Sequence, residues 1–253
     1  MKKTRTWILG AILLASLAAV ASYAQQTAAV GVNKEAMAVV DKMIVAMGGR
    51  KVLESIKDTT ISGTAEIVQF GITVPITIYQ KEPNKMRMDI TIAEANMTII
   101  QAFDGQKGWY TNPQSGSTEE MPDFMAKEMA RQAGENQTLL YPLKSNVTYA
   151  LKPKAAIEGK DYIVLEQTQA DGHKTTLYLD PDTSLPYKTE TRTLDQNGAE
   201  VDSTTFSTNY QKVGGTMVPY SVRVVQNGSD AQRMTITAVT YNTNLDDAFF
   251  TLK

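Results

Sequence analysis

The chain has 253 residues, with 27 acidic and 25 basic side chains and a formal net charge of −2. It contains no cysteine, which excludes disulfides and thiol chemistry. No run of basic residues follows the N-terminal segment, and this argues against nucleic acid as a partner, because Lys and Arg neutralise the phosphates in such complexes. The length fits one β domain, since sandwiches and barrels often run to about 200–250 residues undivided.

Residues 1–24 have the features of a cleaved secretory signal peptide. Lys2, Lys3 and Arg5 precede an apolar run over residues 7–20, and small residues stand before the expected cut. The run is shorter than the about 20 residues of a membrane span, and no cysteine is present for lipid attachment. We expect a periplasmic protein without a lipid anchor, in which loss of the three basic residues changes the net charge from −2 to −5.

The single domain predicted over residues 34–253 begins with helices. Asn33 ends a small, polar and flexible leader, residues 25–33, and suits the N-cap of a helix over residues 35–47. A glycine pair stops this helix, and a short second helix is predicted over residues 50–56. These helices either simply pack against a sheet or form part of a plug over a concave one.

Most of the remaining chain alternates apolar and polar residues, as strands of a half-buried sheet do. Gly63 interrupts one apolar register and indicates a bend or a close approach of another backbone. The regular spacing predicts an antiparallel sandwich or barrel. Strands are predicted over residues 59–68, 72–79, 85–92, 97–103, 108–110, 147–151, 161–167, 174–179, 187–193, 201–210, 217–225 and 233–241.

Residues 121–134 break this rhythm and predict an amphipathic helix. Met121, Met125 and Met129 recur every four residues, and Phe124 adds to the same side. Ordinary core packing explains such a face. The alternative is a movable lid, because unbranched Met side chains adapt to variable apolar partners.

Little in the chain indicates catalysis. His173 is the single histidine and lies in a turn, where we expect it to be solvated, and no nucleophile-elbow sequence is present. No cluster of ligands predicts a metal or a cofactor. We therefore predict that the protein is not an enzyme. A carboxylate pair acting on envelope polymers stays open as a lesser alternative, since sequence does not give the separation of two carboxylates.

The repeated one-sided alternation predicts a curled sheet with a concave apolar face. If only three helices fill that face, a cavity for an acyl chain follows. The side chains expected to line the sheet side are Ile76, Ile78, Met86, Met88, Ile90 and Trp109. Those expected to close the cavity are Phe124, Met125 and Met129.

Several short motifs together resemble the LolA-like superfamily of periplasmic lipoprotein-sorting and lipid-carrier proteins, in particular its outer membrane lipoprotein-sorting branch. In chain order they are Gly48-Gly49 with Leu53 and Ile56, Gly63, residues 81–87 (KEPNKMR), Phe103-Asp104-Gly105 with Gly108-Trp109, Leu179-Asp180-Pro181 with Leu185-Pro186, Tyr210, Val213-Gly214-Gly215, Pro219, and Asn244-Leu245-Asp246-Asp247 with Phe250.

This resemblance implies an unclosed antiparallel β-barrel of about eleven strands, with the N-terminal and mid-chain helices as lids over an apolar cavity. It also implies a monomeric, non-catalytic carrier of lipid or lipoprotein acyl chains that touches membranes transiently. Relatives that chaperone lipoproteins hold the lid with an arginine inside the barrel. Arg87 falls on the polar face of its strand, so it does not match that arginine. The alternative function is a sensor or interaction module that uses the same fold to bind an envelope protein.

Overall fold

The computed structural model describes residues 33–93, 96–194 and 198–251. The predicted signal peptide, and the predicted leader except for Asn33, lie outside these residues. Within the three ranges, no helix has the length and apolar character needed to cross a membrane.

Two helices open the described chain, as the sequence predicts. α1 (Lys34–Ala46) begins at Asn33, whose side chain accepts a hydrogen bond from the backbone N–H of Ala36 at 3.0 Å, so the predicted N-cap is confirmed. Gly48 then takes a φ of +130°, and a Cβ at this position would lie 2.7 Å from the carbonyl oxygen of Gly215. This glycine therefore ends the helix and lets it approach a distant turn closely. α2 (Arg50–Ser55) follows at once.

Within the three described ranges, thirteen strands form one antiparallel sheet. In chain order they are β1 (Asp58–Ile67), β2 (Ile72–Lys81), β3 (Lys85–Ile92), β4 (Met97–Phe103), β5 (Gly108–Thr111), β6 (Thr118–Glu120), β7 (Thr148–Ile157), β8 (Lys160–Thr168), β9 (Lys174–Leu179), β10 (Pro186–Leu194), β11 (Glu200–Val213), β12 (Thr216–Gln226) and β13 (Ser229–Tyr241).

The strand order is β6-β5-β4-β3-β2-β1-β13-β12-β11-β10-β9-β8-β7. Each strand pairs with its neighbours along the chain, except that β1 pairs with β13 in the middle of the sheet and β6 does not pair with β7. The sheet is thus two meanders joined by the first and last strands, and it is not closed. This confirms the predicted unclosed antiparallel barrel, with thirteen strands where the resemblance implied about eleven.

The predicted helix over residues 121–134 is α3 in the structure, and a second helix that was not predicted follows it. α3 (Asp123–Ala133) ends at Gly134, and α4 (Glu135–Leu140) begins at the next residue. α4 has no long apolar pattern of its own. It is held by tertiary contacts, because Leu140 is buried among α1 and α2 and its carbonyl accepts a hydrogen bond from Arg50 Nη1 at 2.5 Å.

β6 was not predicted either, since its three residues, Thr-Glu-Glu, are polar and exposed. It exists because β5 offers an unpaired edge to which its backbone bonds.

Gly63 lies at a β-bulge, where another backbone strand approaches it closely. The register between β1 and β13 shifts between Ser62 and Gly63, and a Cβ on Gly63 would lie 2.2 Å from the carbonyl oxygen of Thr235. No side chain fits there. Bulges increase local twist, so this glycine helps to curl the sheet where its two halves join.

The four helices pack on one face of the sheet, which we call the helix-side face. α1 lies on β7, whereas α3 contacts β3, β4 and β5 and also β10. β3 and β10 are six strand positions apart, a distance of about 29 Å along a flat sheet at about 4.8 Å per strand. α3 has 11 residues and is only about 16 Å long. The sheet must therefore curl toward α3, and the helix-side face is concave.

Candidate ligand-binding face

Strand register places five of the predicted ligand-binding residues together on the helix-side face. Ile76 pairs with Ile90, and Ile78 pairs with Met88. Met86 precedes Met88 by two residues and therefore lies on the same face. It belongs to a buried cluster that includes Met129 of α3, and this contact identifies the face.

α3 covers only one part of these side chains. Met129 and Ala133 pack into the cluster formed by Met86, Phe103 and Met121, and Met125 is partly buried against it. Phe124 points elsewhere: a Cβ on Gly198 would lie 3.6 Å from its ring, so Phe124 reaches Gly198, two residues before β11. The predicted lid residues thus contact opposite walls of the curled sheet.

Trp109 lies on the other face of the sheet, so the register corrects its predicted place in this set. It pairs with Ala102 and Glu120, whereas its neighbour Tyr110 pairs with Gln101. Tyr110 packs against the methionine cluster in the position expected for Trp109. β5 has only four residues, too few for alternation alone to show which of two adjacent aromatic side chains points inward.

Among the residues that the structure describes, a second apolar cluster is formed by strand residues alone, with no helix residue in it. All of its members belong to β1, β2, β3 and β13, and most are only partly buried. Ile78 is also in contact with the cluster under α3, so the covered and uncovered surfaces are continuous. We call this surface the apolar wall; it consists of Ala65, Ile67, Val74, Ile76, Ile78, Met88, Ile90 and Met234.

Opposite the apolar wall, the helix-side face carries hydroxyl groups. Thr189 pairs with Leu177, which packs against the buried cluster around α1, and Thr205 pairs with Thr189. The alternating residues of β10 and β11 on this side form what we call the hydroxyl stripe: Thr189, Thr191, Thr193, Ser203 and Thr205. The alternation of Thr and Ser is visible in the sequence, but their position facing an apolar wall is not.

His173 lies beside the hydroxyl stripe and is half-buried, in contrast to the solvated position expected from its turn. Its Nε2 is 2.9 Å from the hydroxyl of Thr191. Burial lowers the pKa of the imidazole, and the nearby positive charge of Arg131 lowers it further. The neutral form is therefore favoured.

Two polar contacts tie the pair α3 and α4 to the sheet. Arg131 of α3 pairs with Glu128 at 2.6 Å and with Asp171, in the turn between β8 and β9, at 3.1 Å. Glu82, between β2 and β3, accepts hydrogen bonds from the amides of Asn136 at 2.8 Å and Gln137 at 2.7 Å. The Glu128–Arg131 spacing is readable from sequence, but the distant partners Asp171 and Glu82 are not.

Arg87 is on the outer face, as the sequence predicts, and it is engaged there. It pairs with Asp89 at 2.7 Å and donates a hydrogen bond to the carbonyl oxygen of Phe249. Its guanidinium lies 4.1 Å from the centre of the Phe249 ring. This arginine therefore anchors the C-terminal segment to the back of the sheet and has no contact with α3.

Glu135 begins α4 at a small cavity of about 70 Å³ that also borders the start of β1 and the end of β2. Its side chain still meets solvent, yet the protein around it desolvates the carboxylate. Desolvation, with a smaller effect of the charge on Glu128, raises its pKa to about 7. Across residues 33–93, 96–194 and 198–251, no group of three or more His, Asp and Glu side chains is arranged to hold a metal ion.

By sequence, no protein-family model and no curated protein matches the chain. Solved structures do resemble it. A domain assigned to outer membrane lipoprotein sorting from Vibrio parahaemolyticus is 14% identical, with a TM-score of 0.58 over 86% of this chain and 96% of that one. A LolA superfamily protein from Nitrosomonas europaea is 15% identical, with a TM-score of 0.58 over 86% and 97%.

A DUF1329 family protein from Desulfovibrio piger is 16% identical, with a TM-score of 0.57 over 85% of this chain and 97% of that one. At these identities the likeness concerns the fold. The chain has the LolA-like fold that its motifs suggested.

Proposed function

We propose that this protein is an exported, non-catalytic carrier that binds an acyl chain of a lipid or lipoprotein against the apolar wall, beside α3. The observation that carries the proposal is the apolar cluster on β1, β2, β3 and β13, which includes no helix residue of the described ranges. Side chains such as Ile78, Met88 and Ile90 remain partly exposed there. An acyl chain would remove them from water at about 25 cal/mol per Å² of apolar area.

The methionines of α3 suit a ligand that binds reversibly. Met129 and Met125 pack against Met86, and unbranched, polarizable Met side chains repack easily around different apolar shapes. α3 is joined to the rest of the chain by Gly134 and tied to the opposite wall by the Arg131–Asp171 ion pair. A small displacement of this helix would widen the space over the wall.

The hydroxyl stripe gives the proposed ligand a polar end. Thr189, Thr191 and Thr205 face the interior across from the apolar wall, and hydroxyl groups can donate or accept hydrogen bonds. A ligand with an apolar chain and an ester or amide group satisfies both surfaces. This favours an acyl lipid over a purely hydrocarbon ligand.

The test compares two lysine substitutions on β3. Met88→Lys places a charge on the apolar wall, and Thr91→Lys places the same charge on the exposed outer face of the same strand. Because a buried unpaired charge is costly, we expect Met88→Lys to weaken binding of a fluorescent fatty acid by at least about tenfold, or roughly 1.4 kcal/mol. Thr91→Lys should change the affinity by less than about twofold.

Native mass spectrometry of the protein purified from the periplasm tests for a bound ligand and identifies it. Co-purified phospholipid or acylated peptide would support the carrier and identify its cargo. If the protein is empty and takes up no fatty acid, or if Met88→Lys binds as well as the parent, the carrier function is wrong. An interaction module would then be the better interpretation.

A further inference from the structure

The connection between β1 and β2 exposes apolar side chains at its tip. It consists of a 3-10 turn (Val68–Phe70) and Gly71 in the left-handed region at φ +61°. Phe70 is 65% exposed and Ile72 is 43% exposed. Only two other large apolar side chains of the described chain are as open to solvent, Val45 and Leu143, and they lie far from this turn in sequence. We call Val68–Ile72 the apolar tip.

The apolar tip is free of charge. The sequence contains no Asp, Glu, Lys or Arg from residue 67 to residue 80. Glu66, the nearest charged residue before it, is bound by Arg233 at 3.0 Å across the β1–β13 pair. β13 packs against the 3-10 turn, and its charged residues near this end, Asp230 and Arg233, pair with each other and with Arg223 and Glu66.

The apolar tip is also continuous with the apolar wall. Ile67 pairs with Ile72, Ala65 with Val74, and Gly63 with Ile76. These pairs alternate along the same face of β1 and β2. The wall that we propose for the acyl chain therefore runs without a polar interruption to Ile72 and ends beside Phe70.

The exposed area of these side chains limits the kind of partner. Together Phe70 and Ile72 present on the order of 200 Å², far below the about 800 Å² per partner of a stable protein interface. A bilayer needs much less, since apolar side chains that enter the boundary between headgroups and acyl chains to a depth of about 5–10 Å suffice for reversible binding.

We propose that the apolar tip is the surface on which this protein docks to a lipid bilayer, with Phe70 and Ile72 entering the headgroup boundary. The inference rests on the proposed carrier function in one respect. Docking would serve the carrier by aligning the end of the apolar wall with the membrane. Because the tip is uncharged and the protein without residues 1–24 has a net charge of −5, docking needs no anionic lipid. It should depend only weakly on salt.

The experiment measures flotation of the exported chain with phosphatidylcholine vesicles. We expect the double variant Phe70→Ser/Ile72→Ser to lower the partition coefficient by at least about tenfold. The matched control is Val45→Ser/Leu143→Ser, which removes two side chains that are 72% and 70% exposed and should change partition by less than about twofold. Far-UV circular dichroism verifies that both variants are folded.

Equal losses in the two double variants, or no flotation of the parent, would overturn the inference. So would a dimer of the parent that the tip variant converts to a monomer, because the tip would then serve self-association. Met88→Lys separates the two proposals: docking predicts that it still floats with vesicles, whereas the carrier function predicts that it no longer takes up fatty acid. Failure of one leaves the other standing.

Discussion

At the scale of single residues, Glu135 should make the stability of the protein depend on pH. Its pKa is raised from 4.5 to about 7 by desolvation and by Glu128. In this interval the folded protein holds a proton that the unfolded chain has released, so the contribution of Glu135 is present at low pH and is lost as pH rises toward 7.

The variant Glu135→Gln removes this titration. We expect the variant to gain stability relative to the parent as pH increases from about 4.5 to about 8, because the parent must then desolvate a charged carboxylate. Urea unfolding at several pH values measures the difference. Glu158→Gln, in the exposed turn between β7 and β8, is the control and should follow the parent. If the unfolding free energies of Glu135→Gln and the parent change with pH in parallel, the Glu135 carboxylate is ordinarily solvated.

At the scale of elements, α3 bridges the two walls of the curled sheet. Its methionines contact the β3–β4 side, while Arg131 pairs with Asp171 on the β8–β9 side. The Arg131 side chain is 21% exposed and that of Asp171 is 58% exposed, so solvent screens the pair in part. We expect this ion pair to slow the displacement of α3 from the helix-side face.

Asp171→Asn tests this role. We expect the fatty acid to dissociate several times faster, because α3 loses one of its ties to the opposite wall, while global stability changes by less than about 1 kcal/mol. Stopped-flow displacement measures the rate. Asp202→Asn is the control, since Asp202 pairs with Arg192 on the exposed part of the sheet and has no contact with α3. Unchanged dissociation from Asp171→Asn would mean that apolar packing alone holds the helix.

At the scale of the whole molecule, the pairing of β1 with β13 makes one sheet from two meanders. Asp58 secures this junction: its carboxylate accepts hydrogen bonds from the backbone N–H groups of Thr243 at 2.7 Å and Asn244 at 2.9 Å, just after β13. Burial by itself would raise the pKa of this carboxyl, but the hydrogen bonds from Thr243, Leu245 and Asn244 outweigh it, and the pKa is lowered.

We therefore expect Asp58→Asn to lower the free energy of unfolding by about 2 kcal/mol at neutral pH, the order of magnitude for charge-assisted hydrogen bonds. In the parent, this contribution is lost as pH falls from about 4 through the lowered pKa of Asp58. The difference in unfolding free energy between parent and variant should therefore disappear in acid. Asp161→Asn, at an exposed position of β8, provides the comparison. A gap that does not change with pH would contradict the assigned hydrogen bonds.

Much of the sheet could be predicted because its cause is local. β3, β4 and β9 begin and end at the predicted residues, since strict alternation between turn-forming residues specifies both the strand and its buried side. The predicted N-cap at Asn33 has the same local origin.

By itself, the sequence determined twelve of the thirteen strands of the described chain, the apolar side of the longer ones, and that one amphipathic helix interrupts them. Only the tertiary structure decided that Tyr110 rather than Trp109 points inward, that residues 135–140 are helical, and that Arg131 meets Asp171. The physical reason is the distance along the chain over which each interaction acts. Alternation and capping act over a few residues, whereas register, the curl of the sheet and ion pairs between distant turns depend on packing among segments far apart in the chain.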